Sequence, residues 1–356
     1  MKKSFYLRSR AFIFASVIAV SALCFNSGCS KNPVREAVHK AENSSQTEQK
    51  LKIGFSIDTL AIERWQRDLD VFMSCVKELG AECIVQNAGN SVEEQIRQLN
   101  YLVECSCDVI VVLPKEASSL TEVIEKIHAK GIPVISYDRL LLNCPVDLYI
   151  TVDSEQVGKI MAEEMLALTD AKSYYCILGP EEDYNMSMIQ SGISKVLEKT
   201  DVKIADTFYV AGWNYDLAKQ KMMDLLLSGA NPEVIICGND AVADSVLSVL
   251  KNYYPEHHIL ICGQDADIAA CQNIVRGEQC FTVYKPITHL AEQAALYAVE
   301  LAEKKSVDEA VKTDALTYNG YAEIKSVFLE PVLVDSSNID EVIIESGFHT
   351  YGEIYR

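Results

Sequence analysis

The chain has 356 residues, 49% of them hydrophobic and 23% charged, with a formal net charge of −19. That length suits two domains of ~150 residues better than a single core. The acidic balance, with no Lys/Arg block beyond the N-terminus, argues against nucleic-acid binding, which rests on basic groups neutralising phosphates.

The N-terminus reads as a targeting segment. Lys2, Lys3, Arg8 and Arg10 precede an apolar stretch over 11–25, shorter than the ~20 residues of a membrane-spanning helix. This predicts a signal peptide over residues 1–28. Gly28 suits a cleavage site before Cys29, and the stretch resembles a bacterial lipobox with Asn26 in place of the usual Leu. An ordinary secretory signal cut nearby is the alternative. Either way the protein is expected to be exported, with a lipid anchor at Cys29 in the first reading. Loss of residues 1–28 removes four basic and no acidic groups, so the charge of −19 becomes −23. Residues 29–50 are polar and lack an apolar period, as in a flexible tether, although 34–38 would also suit a short amphipathic helix.

Beyond Cys29 the chain carries ten Cys, several inside apolar runs such as Ile235-Ile236-Cys237 and Leu260-Ile261-Cys262. An exported chain can oxidise its thiols, but Cys in such runs behaves as a small buried hydrophobe, so mostly free thiols are expected. Cys105-Ser106-Cys107 lacks the two-residue spacer of a redox or zinc pair, and the six His show no paired-ligand spacing. No metal or cofactor is expected.

From residue 52 the pattern alternates. Strands are predicted at 52–58, 82–87, 108–114 and 133–138, with helices at 64–79, 92–105 and 119–130 between them. Such alternation implies a mainly parallel sheet with right-handed crossovers. After a further strand at 148–152 the pattern restarts. Val157, Ile160, Met161, Met165 and Leu168 mark one helix face. Strands follow near 173–178, 205–210, 234–237 and 259–263, with helices near 187–199, 217–227, 241–250 and 266–275. A strand at 281–285, a helix at 287–303 and one strand-like stretch at 327–334 around Pro331 close the chain. The fold class is therefore α/β, with two parallel-sheet domains of similar architecture.

The polar residues cluster where strands end. Asp58 closes the first strand, and Arg64 with Trp65 opens the helix after it. Asp138-Arg139, Asp183 with Asn185, Trp213, Asn239, Asp265 and Lys285 stand in equivalent places. In open α/β sheets that edge is where ligands bind. Carboxylates accept hydrogen bonds, Arg and Lys donate them and Asn does both, as a polyhydroxylated ligand requires. The apolar faces of a sugar ring suit the indoles of Trp65 and Trp213. Each residue also has a structural alternative. Trp65 can pack on its own helix, Asp183 or Asn239 can cap a helix, and Asp138 with Arg139 can form a local ion pair.

The segments IERWQRD, ISYDR, GNDAVA, GQDADIAA, FTVYKPIT and IIESGFH together resemble the periplasmic D-xylose-binding proteins of bacterial ABC transporters, within the type I sugar-binding group. The resemblance runs from about Lys52 to His349. It implies two Rossmann-like domains, over 51–152 plus 285–328 and over 153–284 plus 329–356, joined by a three-strand hinge. It also implies a monosaccharide ligand, D-xylose or a related pentose or hexose, held by Arg64, Trp65, Asp138, Arg139, Asp183, Asn185, Trp213, Asn239, Asp265 and Lys285. The closed form is then expected to dock on a transporter permease, without catalysis. A sugar sensor that presents its ligand to a membrane receptor or histidine kinase is the alternative. Thr59, Ser154, Tyr184 and Met186 depart from the pattern, where the family has Asp, Asn, Asn and Ala, and they leave the identity of the sugar open.

Overall fold

The computed structural model describes residues 50–355. The expectations placed on the signal peptide, on Cys29 and on nearly all of the tether lie outside the described residues.

Two sheets organise the chain. The first contains β1 (Lys52–Ile57), β2 (Glu82–Asn87), β3 (Val109–Val112), β4 (Val134–Tyr137), β5 (Leu148–Val152), β11 (Leu316–Tyr318) and β12 (Glu323–Leu329). Its order is β11-β12-β5-β4-β3-β1-β2. The second contains β6 (Ser173–Leu178), β7 (Lys203–Tyr209), β8 (Val234–Cys237), β9 (Leu260–Gln264), β10 (Phe281–Tyr284) and β13 (Val332–Val334), in the order β13-β10-β9-β8-β6-β7. All pairs are parallel except β11–β12 and β10–β13. The chain passes between the sheets after β5, after β10 and after β12.

The apolar runs explain the layers. Every residue of β3, β4 and β8 is buried, as in strands covered on both faces. On one face of the first sheet, Phe55 and Ile57 pack with Phe72 of the helix Glu63–Glu78 and with Leu290 and Ala294 of the helix Ile287–Ala302. On the other, Ile110 and Val112 pack with Leu99 and Ile124. The second sheet is likewise flanked by two apolar clusters, one around Met161 and Ile189 and one around Met222 and Val246. The helices Ser154–Leu168 and Tyr184–Leu197 cross in near backbone contact. A Cβ at Gly158 would stand 2.0 Å from the Ile189 carbonyl oxygen, and one at Gly192 2.1 Å from that of Glu155.

The structure revises several sequence expectations. The single strand-like stretch at 327–334 is two strands, β12 and β13, that belong to different sheets. Pro331 cannot donate to a ladder, and the chain leaves one sheet and joins the other around it. The helices expected from 187 and 217 start earlier, at Tyr184 and Tyr215. Asp183 and Asn214 cap them by accepting from the backbone N–H groups of Asn185 and Asp216. The short edge strand β11 was not expected at all. Nine of the ten cysteines among the described residues are free, five of these buried, and Cys271 is buried as well.

Candidate functional site

Each candidate residue follows the carboxyl end of a strand. Arg64 and Trp65 follow β1, Asp138 and Arg139 follow β4, and Asp183 and Asn185 follow β6. Trp213 follows β7, Asn239 β8, Asp265 β9 and Lys285 β10. The two sheets present these ends to each other, and all ten residues line one cavity together with Ile62, Met186 and Gln264. Its cavity volume is about 20 Å³, far below the ~300–1,000 Å³ of small-molecule sites, so the walls stand close together in this structure.

The first sheet supplies a braced wall. Arg64 donates to Asp138 Oδ2 at 2.8 Å and to Asp68, one helical turn on, at 3.4 Å. The Tyr137 hydroxyl donates to the same Asp68 oxygen, Oδ1. Arg139 pairs with Asp58 and donates to the Pro114 carbonyl at 3.2 Å. The Arg64 guanidinium lies 4.1 Å from the centre of the Trp65 ring and that of Arg139 5.5 Å, within reach of a cation–π attraction. Trp65 is 3% exposed and joins the apolar core below, so it packs and lines the cavity at once. The local pair that was the alternative reading for Asp138 and Arg139 does not form; they pair instead with Arg64, Asp58 and Asp183.

The second sheet supplies residues whose caps and contacts coexist. Asp183 Oδ1 accepts from the Asn185 backbone, while Oδ2 lies 2.8 Å from Arg139 Nε. Asn239 Oδ1 accepts from the Val242 backbone at 2.9 Å, leaving its amide to reach Tyr215 at 3.4 Å. Asn185 donates to Asp138 Oδ1 at 2.7 Å, across from one sheet to the other. Asp265 Oδ1 lies 3.3 Å from Lys285 Nζ and 3.5 Å from Arg64. Trp213, half-buried, touches apolar clusters of both sheets.

Three features make the cavity the candidate site. First, Asp138, Trp213 and Asp265 have φ of 61°, 55° and 98°. Non-glycine residues in that region cost ~1–3 kcal/mol each and persist where surrounding structure holds them, often at ligand sites. Second, among the described residues several buried side-chain polar atoms have neither a hydrogen-bond nor an ion-pair partner, and five of them belong to cavity-lining residues. These include Trp65 Nε1, Asn185 Oδ1, Trp213 Nε1 and Gln264 Oε1. Buried polar groups are usually paired, so this concentration at one place fits a polar ligand. Third, the lining carries Asp138, Asp183 and Asp265 against Arg64, Arg139 and Lys285, three charges of each sign. That balance suits a neutral ligand.

The electrostatics keep the wall ionised. Burial alone would raise the Asp138 carboxyl, but Arg64, Lys285 and Arg139 outweigh it and hold it below the ordinary carboxylate range. Behind it, burial pushes Asp68 up to about 6, against the opposing pull of Arg64 and Tyr137. Its Oδ2 lacks a partner and is where a proton would sit. No group of three or more His, Cys, Asp or Glu among the described residues is placed to hold a metal ion.

Sequence reasoning did not single out Ile62, Met186 and Gln264 as lining residues, nor Asp68 as the brace of Arg64. Signals existed for two of them. The i,i+4 spacing of Arg64 and Asp68 places them on one helix face. Gln264 sits beside Asp265 at the end of β9.

Comparison with known proteins agrees with this architecture. Residues 53–306 match the family model described as periplasmic binding protein domain. The chain is 36% identical over 319 residues to the D-xylose-binding periplasmic protein of Haemophilus influenzae, covering 88% of this chain and 95% of that protein. It is 33% identical to the protein of the same name from Escherichia coli, covering 86% and 93%. A solved structure of an ABC transporter solute binding protein from Clostridium phytofermentans, with bound β-D-glucose, superposes with a TM-score of 0.77 at 28% identity, covering 85% of this chain and 99% of that one. The chain belongs to the periplasmic binding protein family, type I.

Proposed function

We propose that the ten candidate residues bind a monosaccharide, D-xylose or a related pentose or hexose, and that the protein delivers it to an ABC transporter permease. The observation that carries the reading is the cavity lining itself: three carboxylates balanced by three cations, with an indole from each side. Sugar hydroxyls donate to the carboxylates and accept from the cations, and the ring's C–H faces lie against the indoles. The names of the two xylose-binding relatives and the glucose in the similar solved structure support the ligand class. In this reading residues 51–152 plus 285–328 and residues 153–284 plus 329–356 act as two lobes that close by hinge motion. Hinge closure around a ligand is the general behaviour of periplasmic binding proteins as a class. The ligand stabilises the closed state by touching both lobes.

The same geometry argues for binding without catalysis. A glycosidase acid needs a carboxyl with a raised pKa, whereas Asp138 is held down by its cations. Recovery of the sugar unchanged after long incubation is the expected result. Export is proposed with anchoring through Cys29, so Cys29→Ser should move the protein from the membrane to the soluble fraction.

A thermal-shift screen across pentoses and hexoses tests the ligand class. D-xylose or a close relative should raise the melting temperature, and no shift with any monosaccharide would sink the reading. Pull-down with the sugar-loaded protein should recover a permease; recovery of a histidine kinase instead would assign the protein to sensing.

A further inference from the structure

We infer that His349 is a positioning residue for the ligand-facing carboxylate of Asp265, and that Arg67 steadies it from the opposite lobe. The inference rests on the sugar-binding reading above and goes further by assigning a binding role to two residues outside the cavity.

Asp265 and Ala266 follow β9 in succession with φ of 98° and 56°. Two adjacent non-glycine residues in that region are strained, and such a turn persists only where surrounding groups hold it. The Asp265 N–H donates to the Val283 carbonyl at 3.0 Å and the Ala266 N–H to the Thr282 hydroxyl at 3.3 Å. The Asp267 N–H donates to Asp240 Oδ2 at 3.1 Å. The Ala266 carbonyl lies 2.7 Å from His349 Nε2. The Cys271 thiol, a weak donor, is 3.6 Å from the same oxygen. His349 is 2% exposed, and the C-terminal segment that carries it packs on the turn: Ile343, Phe348 and Ile354 share an apolar cluster with Ala266 and Tyr284.

The other ring nitrogen of His349, Nδ1, lies 3.4 Å from an Arg67 nitrogen. A guanidinium only donates, so Nδ1 accepts and Nε2 carries the proton given to Ala266. Arg67 also donates to the Phe348 carbonyl, and its guanidinium lies 4.1 Å from the centre of the Phe348 ring. Arg67 stands one turn after Arg64 on the helix Glu63–Glu78 of the first lobe. That helix thus reaches the Asp265 turn twice. Arg64 lies 3.5 Å from the carboxylate inside the cavity, and Arg67 reaches the turn through His349 outside it. The segments IERWQRD, GQDADIAA and IIESGFH contain Arg67, Ala266 and His349, none of which lines the cavity.

The consequence is a coupling between the meeting of the lobes and the geometry of the site. With the lobes together, Arg67 fixes the tautomer and place of His349, and His349 holds the turn that aims Asp265. With the lobes apart, that support is lost. A site that is competent only part of the time binds more weakly in proportion, so both residues add to affinity without touching the sugar.

The test is calorimetric titration of wild type, His349→Leu, His349→Gln and Arg67→Met with D-xylose, or with whichever monosaccharide the screen above shows to bind in its place. Thermal unfolding identifies the folded members. His349→Leu leaves the buried Ala266 carbonyl without its strong donor and should weaken binding about tenfold. His349→Gln supplies an amide donor and an acceptor and should recover most of that loss. Arg67→Met should weaken binding by a smaller factor. In an Asp265→Asn background, which lacks the carboxylate to be positioned, His349→Leu should cost less than in wild type. Wild-type affinity in folded His349→Leu or in Arg67→Met, or a Gln variant as weak as Leu, overturns the inference, and so does an undiminished loss in the Asp265→Asn background. Should His349→Leu fail to fold, the half-buried Arg67 decides, and unchanged affinity in Arg67→Met overturns the inference. If wild type binds no monosaccharide, the binding reading itself fails, a result visible before any variant is made.

Discussion

The two walls of the cavity are built by different means. On the first, Arg64, Trp65, Asp138 and Arg139 are each at most 4% exposed, and other buried groups brace them: Asp58, Asp68, Tyr137 and the Thr151 hydroxyl, which donates to the Asp138 carbonyl at 2.7 Å. On the second, Asp183 and Asn239 are held by helix caps, and Trp213 and Asp265 by left-handed backbone. The first wall is thus braced by other buried ions, whereas the second, almost as buried apart from Trp213, is held by helix caps and backbone conformation. Substitutions in the first should therefore reduce stability and binding together. Those in the second should act mainly on binding.

The largest expected effect breaks the first wall. Arg64→Met leaves Asp138 and Asp68 buried without their cation, and removing one partner of a buried pair typically costs ~3–5 kcal/mol. Urea denaturation should show a loss of that size, along with loss of sugar binding. A variant of undiminished stability would mean that the first wall is not structural.

Next comes the pH dependence of Asp68. Its folded pKa of about 6 stands above the ordinary 3.8, so protonation favours the fold. That contribution is fully present below about 3.8 and is lost as pH rises through about 6. Measured against Asp68→Asn, wild-type stability should fall between pH 4 and pH 7 by an amount on the order of 3 kcal/mol. A flat difference would contradict the buried, half-partnered carboxyl.

Variants of the second wall should separate binding from stability. Trp213→Ala and Asp265→Ala should each weaken sugar binding by ~2 kcal/mol or more, as for residues at the centre of a contact. Calorimetry is the readout. Trp213 also touches three apolar clusters, so some stability should be lost with it, though less than with Arg64→Met. Unaltered affinity in both variants would remove these residues from the site.

The smallest effect separates two roles of one residue. Asn239→Ala should cost ~1 kcal/mol of stability through the lost cap as well as affinity. Asn239→Ser should restore the cap and the stability but not the affinity. Full recovery of both by Ser would make Asn239 a cap alone.

Much of this arrangement was legible in the sequence, for identifiable reasons. Continuous apolar runs such as Val109–Val112 and Val234–Cys237 declare strands covered on both faces. Parallel strands of this kind bring their carboxyl ends together, so the polar residues after them could be read as one group. Backbone conformation was not legible: nothing in the letters marks Asp138, Trp213 or Asp265 for positive φ, because tertiary context imposes it. Nor was the partner choice of Arg139, which passes over its neighbour Asp138 for Asp58 and Asp183. Long-range pairing of that sort depends on which strand ends become neighbours. The change of sheets near Pro331 came only from the resemblance, with its domain boundary after residue 328; the residues 327–334 by themselves read as one strand-like stretch.

Both walls already meet in this structure through the Asn185–Asp138 hydrogen bond and the Arg139–Asp183 pair. A sugar held between the walls should hold the lobes in such a closed arrangement, because its contacts come from both, whereas the sugar-free protein in solution is expected to open. Small-angle scattering with and without saturating D-xylose measures that closure. The radius of gyration should fall on sugar addition. An unchanged scattering profile, at a sugar concentration that saturates binding, would contradict closure around the ligand.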